Sequence, residues 1–453
     1  MCEPSESSQL KLWLFTSENL DLCRKRANRV ARKALSASAA GFGGATASIN
    51  SDAAAAAAAT TDLSAPHTDS NATAESGSSS AAGGDASSQQ LMAECFARDF
   101  NMNKDKWLKD HECEDDGDDG PWQTKKGHVY ATPEEEAAIV SFYVSKLPNL
   151  IGPKAQVPRL RRESKVTATA ALLLRRFYLS NSVMMFDPKT IMVAAAFLAS
   201  KVEDATTDVR YLEEGTNLMN SPVSQTDIIP SEIHLLSGIQ FDLLCFHPYK
   251  AVLAVTEDLR TYLKSKEGRS LVHFPNSSDK HRPIVGQDLL PMHDAAQQLV
   301  DDVIVSDIPL LYPPGQVGLA ALMVANERQQ EEYQQNVQRA DNNDKNAAVV
   351  DVPQIDFFGY ISLRFPDKDQ EEMKSLLRNL CAMLREVREG KHGCGNHNVD
   401  LQMLKSVHKK LKKTAKWSSS SSSNKEKKKK RKTSSSGGGN DERDGPDTKR
   451  AKT

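Results

Sequence analysis

The stretch "DPKTIMVAAAFLASKVED", Asp187 to Asp204, decides the fold. Asp187 is a helix cap and Pro188 a favoured first helical residue, so the pairing predicts a helix over 189–201. From Ile191 to Ala199 no position is polar, and a helix that is apolar all round is buried on every side. This helix is therefore the centre of a bundle. The alanines at 194, 195, 196 and 199 let neighbouring helices approach closely, which a leucine-rich surface would prevent. Lys201 ends the run, where the buried helix meets either water or a partner.

Outward from it, other amphipathic segments supply the neighbours. Thr132-Pro133-Glu134-Glu135 starts a helix whose stripe is Ile139, Phe142, Tyr143 and Leu147, with Pro148 as its stop. A second helix over 162–179 presents Val166, Ala170, Leu173, Leu174 and Phe177 on one face. Segments 207–219 and 231–238 add two more, the last with Ile233, Leu235 and Leu236 in its apolar pattern. The set then recurs. Residues 292–305 read as a helix through Ala295, Leu299 and Val303, and Pro313-Pro314 opens "GQVGLAALMVANE", a second Ala/Gly-rich apolar helix. Residues 328–349 are polar enough to read as an insertion loop, and 355–363 and 370–387 complete the series. With no credible strand, the class is all-α: tandem five-helix domains with flanking terminal helices and disordered segments.

Composition bounds the rest. Across 453 residues the mean hydropathy is −0.52, so much of the chain stays out of a core. Residues 36–129 are a low-complexity and acidic insert, with seven alanines at 53–59 and "ECEDDGDDG" at 112–120, expected to be mostly disordered apart from one helix within 91–111. Ahead of it, 1–35 form an aromatic and basic amphipathic arm in which Ser17 can cap a helix. The domains are expected at 130–250 and 251–395, followed by a helix and Lys-rich tail at 396–453. Seven cysteines without a CxxC predict reduced thiols, and the absence of a signal pattern or a long apolar run predicts a soluble intracellular protein with no membrane partner. Net charge is −2, but residues 405–453 carry 17 Lys/Arg against 5 Asp/Glu, a +12 tail on a body at −14. An acidic body disfavours duplex DNA, so no specific nucleic acid is expected.

The run 175–204, "RRFYLSNSVMMFDPKTIMVAAAFLASKVED", with "SEIHLLSGIQFDLLCFHPY" at 231–249, resembles the first box of the cyclin family. The spacing of Arg176-Phe177, Asp187-Pro188, Lys201 and Glu232 carries the resemblance. The segments "LWLFTSENLDLCRKRANRVARKAL" and "SDIPLLYPPGQVGLAALM" resemble the branch of the family that regulates the CDK-activating kinase. That resemblance implies two cyclin boxes and a non-catalytic regulatory subunit. It implies as partners a cyclin-dependent kinase catalytic subunit, a RING-finger assembly factor and general transcription factor IIH. The kinase complex would phosphorylate the activation loops of other kinases and the carboxy-terminal repeats of RNA polymerase II.

By the same resemblance Lys201 and Glu232 hold the kinase backbone, and Leu236, Phe241, Leu243 and Leu244 supply the apolar contact beside them. Physically, such a pair orients itself before binding and then satisfies backbone groups that the interface buries. A helix-end lysine and a first-turn glutamate also act locally on their own helix dipoles, worth ~0.3–1 kcal/mol each. The first helix, "EEEAAIVSFYVSKL", lacks the substrate-docking motif of cell-cycle cyclins.

No Walker, kinase, hydrolase-elbow or HExxH pattern occurs, so no catalytic residue, cofactor or metal is assigned. His392, Cys394 and His397 lack a fourth ligand and read as a connector. Lys427, Lys428, Lys429, Lys430, Arg431 and Lys432 form a nuclear-import candidate, which predicts a nuclear protein. Two alternatives stand beside this reading: a cyclin of another transcriptional branch, and a promoter-binding core like that of general transcription factor IIB.

Overall fold

A computed structural model describes residues 7–38, 104, 108, 122–275, 282–341, 352–366, 370–389 and 400–417. The alanine-rich insert, the acidic stretch 112–120, most of 91–111, the His392–His397 segment and the 427–432 cluster lie outside the described residues.

The amino-terminal arm is α1 (Ser8–Leu12) and α2 (Ser17–Ser38). The first repeat comprises α3 (Pro133–Val144), the single turn α4 (Leu147–Leu150), α5 (Ser164–Ser180), α6 (Pro188–Val202), α7 (Val209–Leu218) and α8 (Gln225–Gly238). The second comprises α9 (Pro248–Tyr262), α10 (Gly286–Val303), the turn α11 (Ile308–Leu311), α12 (Pro314–Asp341), α13 (Phe357–Arg364) and α14 (Gln370–Arg388), and α15 (Leu401–Thr414) follows.

The start signals at Thr132 and Asp187 work as read. Thr132 Oγ1 accepts from the Glu135 amide while Glu135 Oε2 accepts from the Thr132 amide, a reciprocal capping box. Asp187 accepts from the Lys189 amide at 3.1 Å and opens α6. Within α6, Ile191 through Ala196, Leu198 and Ala199 are buried, and the helix packs on α5 and α8. In the second repeat α12 takes the same central place against α9, α10 and α14. Small residues set the spacing. A Cβ on Gly318 of α12 would lie 2.7 Å from the Ala251 Cβ of α9, and one on Gly238 would lie 2.5 Å from the Phe177 ring.

Several elements differ from the sequence reading. Thr16, not Ser17, caps α2: its Oγ1 accepts from the Asn19 amide. The polar stretch after 327 continues α12 to Asp341 instead of looping out, braced by an Arg328–Glu332 ion pair at i,i+4. Both α8 and α10 begin earlier than read, with Pro230 and Pro291 inside them. The first helix of the second repeat, α9, has no counterpart among the segments expected from sequence; Pro248 begins it, and Val252, Thr256 and Leu259 form its buried stripe. A two-residue antiparallel pair also exists, β1 (Val272–His273) with β2 (Gln354–Ile355).

Two ends of the chain return to the first repeat. From α15, Lys410 pairs with Glu135 at 2.6 Å, and Trp417 Nε1 donates to the Val183 carbonyl at 2.9 Å. The arm lies along α5, with Trp13, Phe15, Leu20 and Cys23 packed against Leu172, Leu179 and Leu310. Leu108 is buried in that same cluster, against the arm. At the junction, Asp307 accepts from Arg24 at 2.8 Å and from Arg175, which also donates to the Val305 carbonyl.

Candidate functional site: the surface at the end of the central helix

Lys201 stands in the last turn of α6, and its Nζ donates to both carboxylate oxygens of Glu232, at 2.7 and 2.9 Å. The ammonium also lies 3.9 Å from the centre of the Phe197 ring. Glu232 sits in the middle of α8, not in its first turn, so the local dipole role considered for it does not apply. The Lys201 side chain is 43% exposed and that of Glu232 12%, which leaves the lysine head open to a ligand while the carboxylate orients it.

The apolar residues named with this pair divide in two. Phe241 and Leu244 are open, at 66% and 44%, whereas Leu236 and Leu243 are half-buried and join the strip to the core. Sequence reasoning missed two members. Ile229 and Ile233 on α8 lie close to Glu232 in sequence and are 54% and 59% exposed, although Ile233 belongs to the apolar pattern of 231–238. The signal was in the helix length: an α8 that starts at Gln225 includes Ile229, which shares a face with Ile233 at i,i+4 and with Glu232 at i,i+3.

A strained turn presents Phe241. The helix ends in a Schellman arrangement, in which the Gln240 amide donates to the Ser237 carbonyl and the Phe241 amide to the Leu236 carbonyl. Glycine is usual in the left-handed position, yet here Gln240 and Phe241 both occupy it, at φ 54° and 56°. Such a conformation costs roughly 1–2 kcal/mol for each side-chain-bearing residue, so the surroundings must impose it.

Those surroundings are buried polar groups. The Arg176 guanidinium donates to the carbonyls of Asp242 and Leu244 at 3.2 and 3.0 Å. Burial pulls its pKa down, and the Trp13 ring stacks 4.8 Å away. From the arm, Ser8 and Trp13 donate to the two Asp242 carboxylate oxygens at 2.9 and 2.8 Å. Gln9 donates to the Phe246 carbonyl at 3.0 Å and accepts from the Phe246 amide. The arm therefore braces the segment 242–246 from behind while Phe241 and Leu244 face outward.

Burial pushes the Cys23 and Cys381 thiols up to about 12 and Cys245 to about 11, far from the range of a nucleophilic thiolate. Among the described residues no cluster of His, Cys, Asp and Glu could hold a metal ion, and no helix is long and apolar enough to cross a membrane.

The family model "Cyclin, N-terminal domain" matches residues 157–244, and "Cyclin C-terminal domain" matches 247–389, together more than half of the chain. The chain belongs to the cyclin family. This cyclin is 26% identical over 255 residues to Cyclin-H1-1 of Arabidopsis thaliana, a match covering 55% of this chain and 68% of that protein. It is 28% identical over 196 residues to Cyclin CCL1 of Saccharomyces cerevisiae, covering 43% of each. The chain thus spans less than half the length of the yeast relative. In fold it is similar to a chain of the CAK complex from Chaetomium thermophilum, at a TM-score of 0.53 and 17% identity over 97% of both chains. In this cyclin the two repeats are the two boxes, and the Lys201–Glu232 pair lies on the first.

Proposed function

We propose that this cyclin is the regulatory subunit of a CDK-activating kinase of the cyclin H type, and that it engages its catalytic subunit through Lys201, Glu232, Leu236, Phe241, Leu243 and Leu244. The observation that carries the reading is the preformed Lys201–Glu232 pair beside an open apolar strip on a braced turn. The relatives named cyclin H, from a plant and an amphibian, supply the branch. A relative named as an RNA polymerase II holoenzyme cyclin-like subunit supports a transcriptional setting.

The mechanism is allosteric. Fast phosphoryl transfer needs the kinase's strand lysine paired with its regulatory-helix glutamate and its metal-binding loop in place. A cyclin that binds only this arrangement shifts the population toward it by its differential affinity. The six residues need only hold the regulatory helix; the kinase itself supplies the nucleotide and metal chemistry. Substrates are then activation loops of other kinases and the polymerase carboxy-terminal repeats. A RING-finger assembly factor and general transcription factor IIH complete the setting, and the 427–432 cluster directs the protein to the nucleus.

The test is co-purification with a panel of kinase catalytic subunits, then assays on a polymerase-repeat peptide and an unphosphorylated kinase. Selective activation of the CDK-activating kinase is expected. Lys201→Ala with Glu232→Ala should weaken that complex by about tenfold or more, a loss of ~1.4 kcal/mol. Unchanged affinity of the double variant would overturn the site assignment, and activation of a different kinase would overturn the branch.

A further inference from the structure

Where the two boxes meet, a groove of about 960 Å³ opens beside α1. Its apolar lining comes from Leu10, Phe246, Tyr249, Ala251, Pro313 and Pro314. Four carboxylates also line it, Glu163 and Glu203 from the first box and Asp294 and Asp301 from the second, against the two lysines 165 and 250. The acidic excess is not fully quenched. Lys165 lies 3.6 and 4.0 Å from Glu163 and Glu203, and Asp301 accepts from the Tyr249 hydroxyl at 2.7 Å. Asp294 is exposed and makes no ion pair among the described residues. A carboxylate-lined groove with apolar walls repels phosphate and fits long aliphatic stems that end in cations.

We propose that the Lys-rich segment 425–432 of this same chain, "KEKKKKRK", docks in the groove between the two boxes. Charge is the first argument, because the segment sits in the +12 tail and the groove in the −14 body. Reach is the second. The last anchored residue, Trp417, bonds to the Val183 carbonyl just beyond the carboxy-terminal end of α5. Glu163 and Lys165 mark the groove at the other end of that helix. A helix of 17 residues is ~25 Å long, and an extended chain covers roughly 3.3 Å per residue, so residues 418–432 span up to ~50 Å. Chain connectivity raises the local concentration of the segment at the groove to the millimolar range, so weak individual contacts suffice. Docked there, the basic cluster is shielded from other polyanions and becomes available when ionic strength or a competing acidic partner releases it.

Zero-length carbodiimide coupling of the full chain tests this, run on a mixture of heavy- and light-isotope protein. Amide links from lysines 427–430 and 432 to Glu163 or Asp294 are expected within single molecules. They should fall severalfold as salt rises from about 0.05 to about 0.5 M, where the Debye length shrinks to a few ångströms. The exposed-site variant Glu163→Lys with Asp294→Lys, checked for an unchanged thermal midpoint, should lose these links and gain none elsewhere. Links spread evenly over the acidic body, or links that persist at groove positions of the reversed variant, would overturn the proposal. So would mixed heavy–light links, which would assign the groove to the tail of a second copy.

Discussion

Asp307 joins the arm to both boxes, and Asp307→Ala should expose how much that junction contributes. Its two oxygens serve different arginines, Arg24 of α2 and Arg175 of α5, from the start of the short turn α11. The Arg175 side chain is only 2% exposed, so the substitution strands a buried cation with the Val305 carbonyl as its remaining named partner. Breaking a buried pair this way costs about 3–5 kcal/mol. Arg24 and Asp307 are each 19% exposed, and solvent screening there sets the expected loss near the lower end, ~3 kcal/mol. The assay is urea unfolding at constant slope, combined with hydrogen exchange across α2, whose protection should collapse before that of α6. Replacing both partners, Asp307→Leu with Arg175→Met, should recover most of the loss because no buried charge is left unpaired. A loss below about 1 kcal/mol for Asp307→Ala, or a double variant no better than the single, would refute the reasoning.

Three further outcomes are expected. Phe241→Ala should leave the unfolding midpoint within about 0.5 kcal/mol of the parent, since the ring is exposed, while lowering kinase affinity in a titration. Gln240→Gly should raise stability by ~1 kcal/mol in thermal or urea unfolding, because glycine enters the left-handed position without strain. The pH dependence of two buried groups has opposite signs. Burial raises Glu136 to about 7, so its contribution is full below the usual carboxylate range and lost as pH rises toward 7. Burial, with Arg176 and Lys250 nearby, lowers His247 to about 4, so its contribution is full above about 6.5 and lost as pH falls toward 4. Over roughly pH 4.5–6.5 the two slopes oppose each other. Relative to the parent, Glu136→Gln should therefore gain stability as pH rises through that window and His247→Gln should lose it, read from urea midpoints at each pH.

What the sequence made legible follows from the range of the forces involved. Caps and apolar stripes are local, so Thr132, Asp187 and the all-apolar face of α6 could be read directly. Lys201 and Glu232 were reached only through family resemblance, because 31 residues separate them and no local rule links a helix end to a later helix. The expected starts at 231 and 292 fall just after Pro230 and Pro291, yet both helices run through their proline, each giving up one i→i−4 bond that packing on the neighbouring helices offsets. The polar run in α12 misled it in the other direction, since i,i+4 pairs such as Arg328–Glu332 sustain a helix without an apolar stripe. The brace behind Phe241 was least legible. Ser8, Gln9 and Trp13 meet residues 242–246 across more than 200 positions, and a single sequence offers no signal for such a pairing.

That brace explains how the proposed interface can rest on a strained turn. Holding Gln240 and Phe241 in the left-handed region costs roughly 2–4 kcal/mol in total. Were that cost met on binding, affinity would fall by ~30- to ~1000-fold, at 1.4 kcal/mol per factor of ten. The free chain meets it on folding instead. Trp13 and Ser8 bond to a carboxylate, and Arg176 bonds as a cation to two carbonyls, each such charge-assisted bond contributing ~1.5–3 kcal/mol. Their sum exceeds the strain, so Phe241 and Leu244 stand ready before any partner arrives. In the proposed complex the arm acts on recognition without touching the binding surface: it sets the conformation of residues 241–246, which leaves the contact energy of the exposed side chains for the partner.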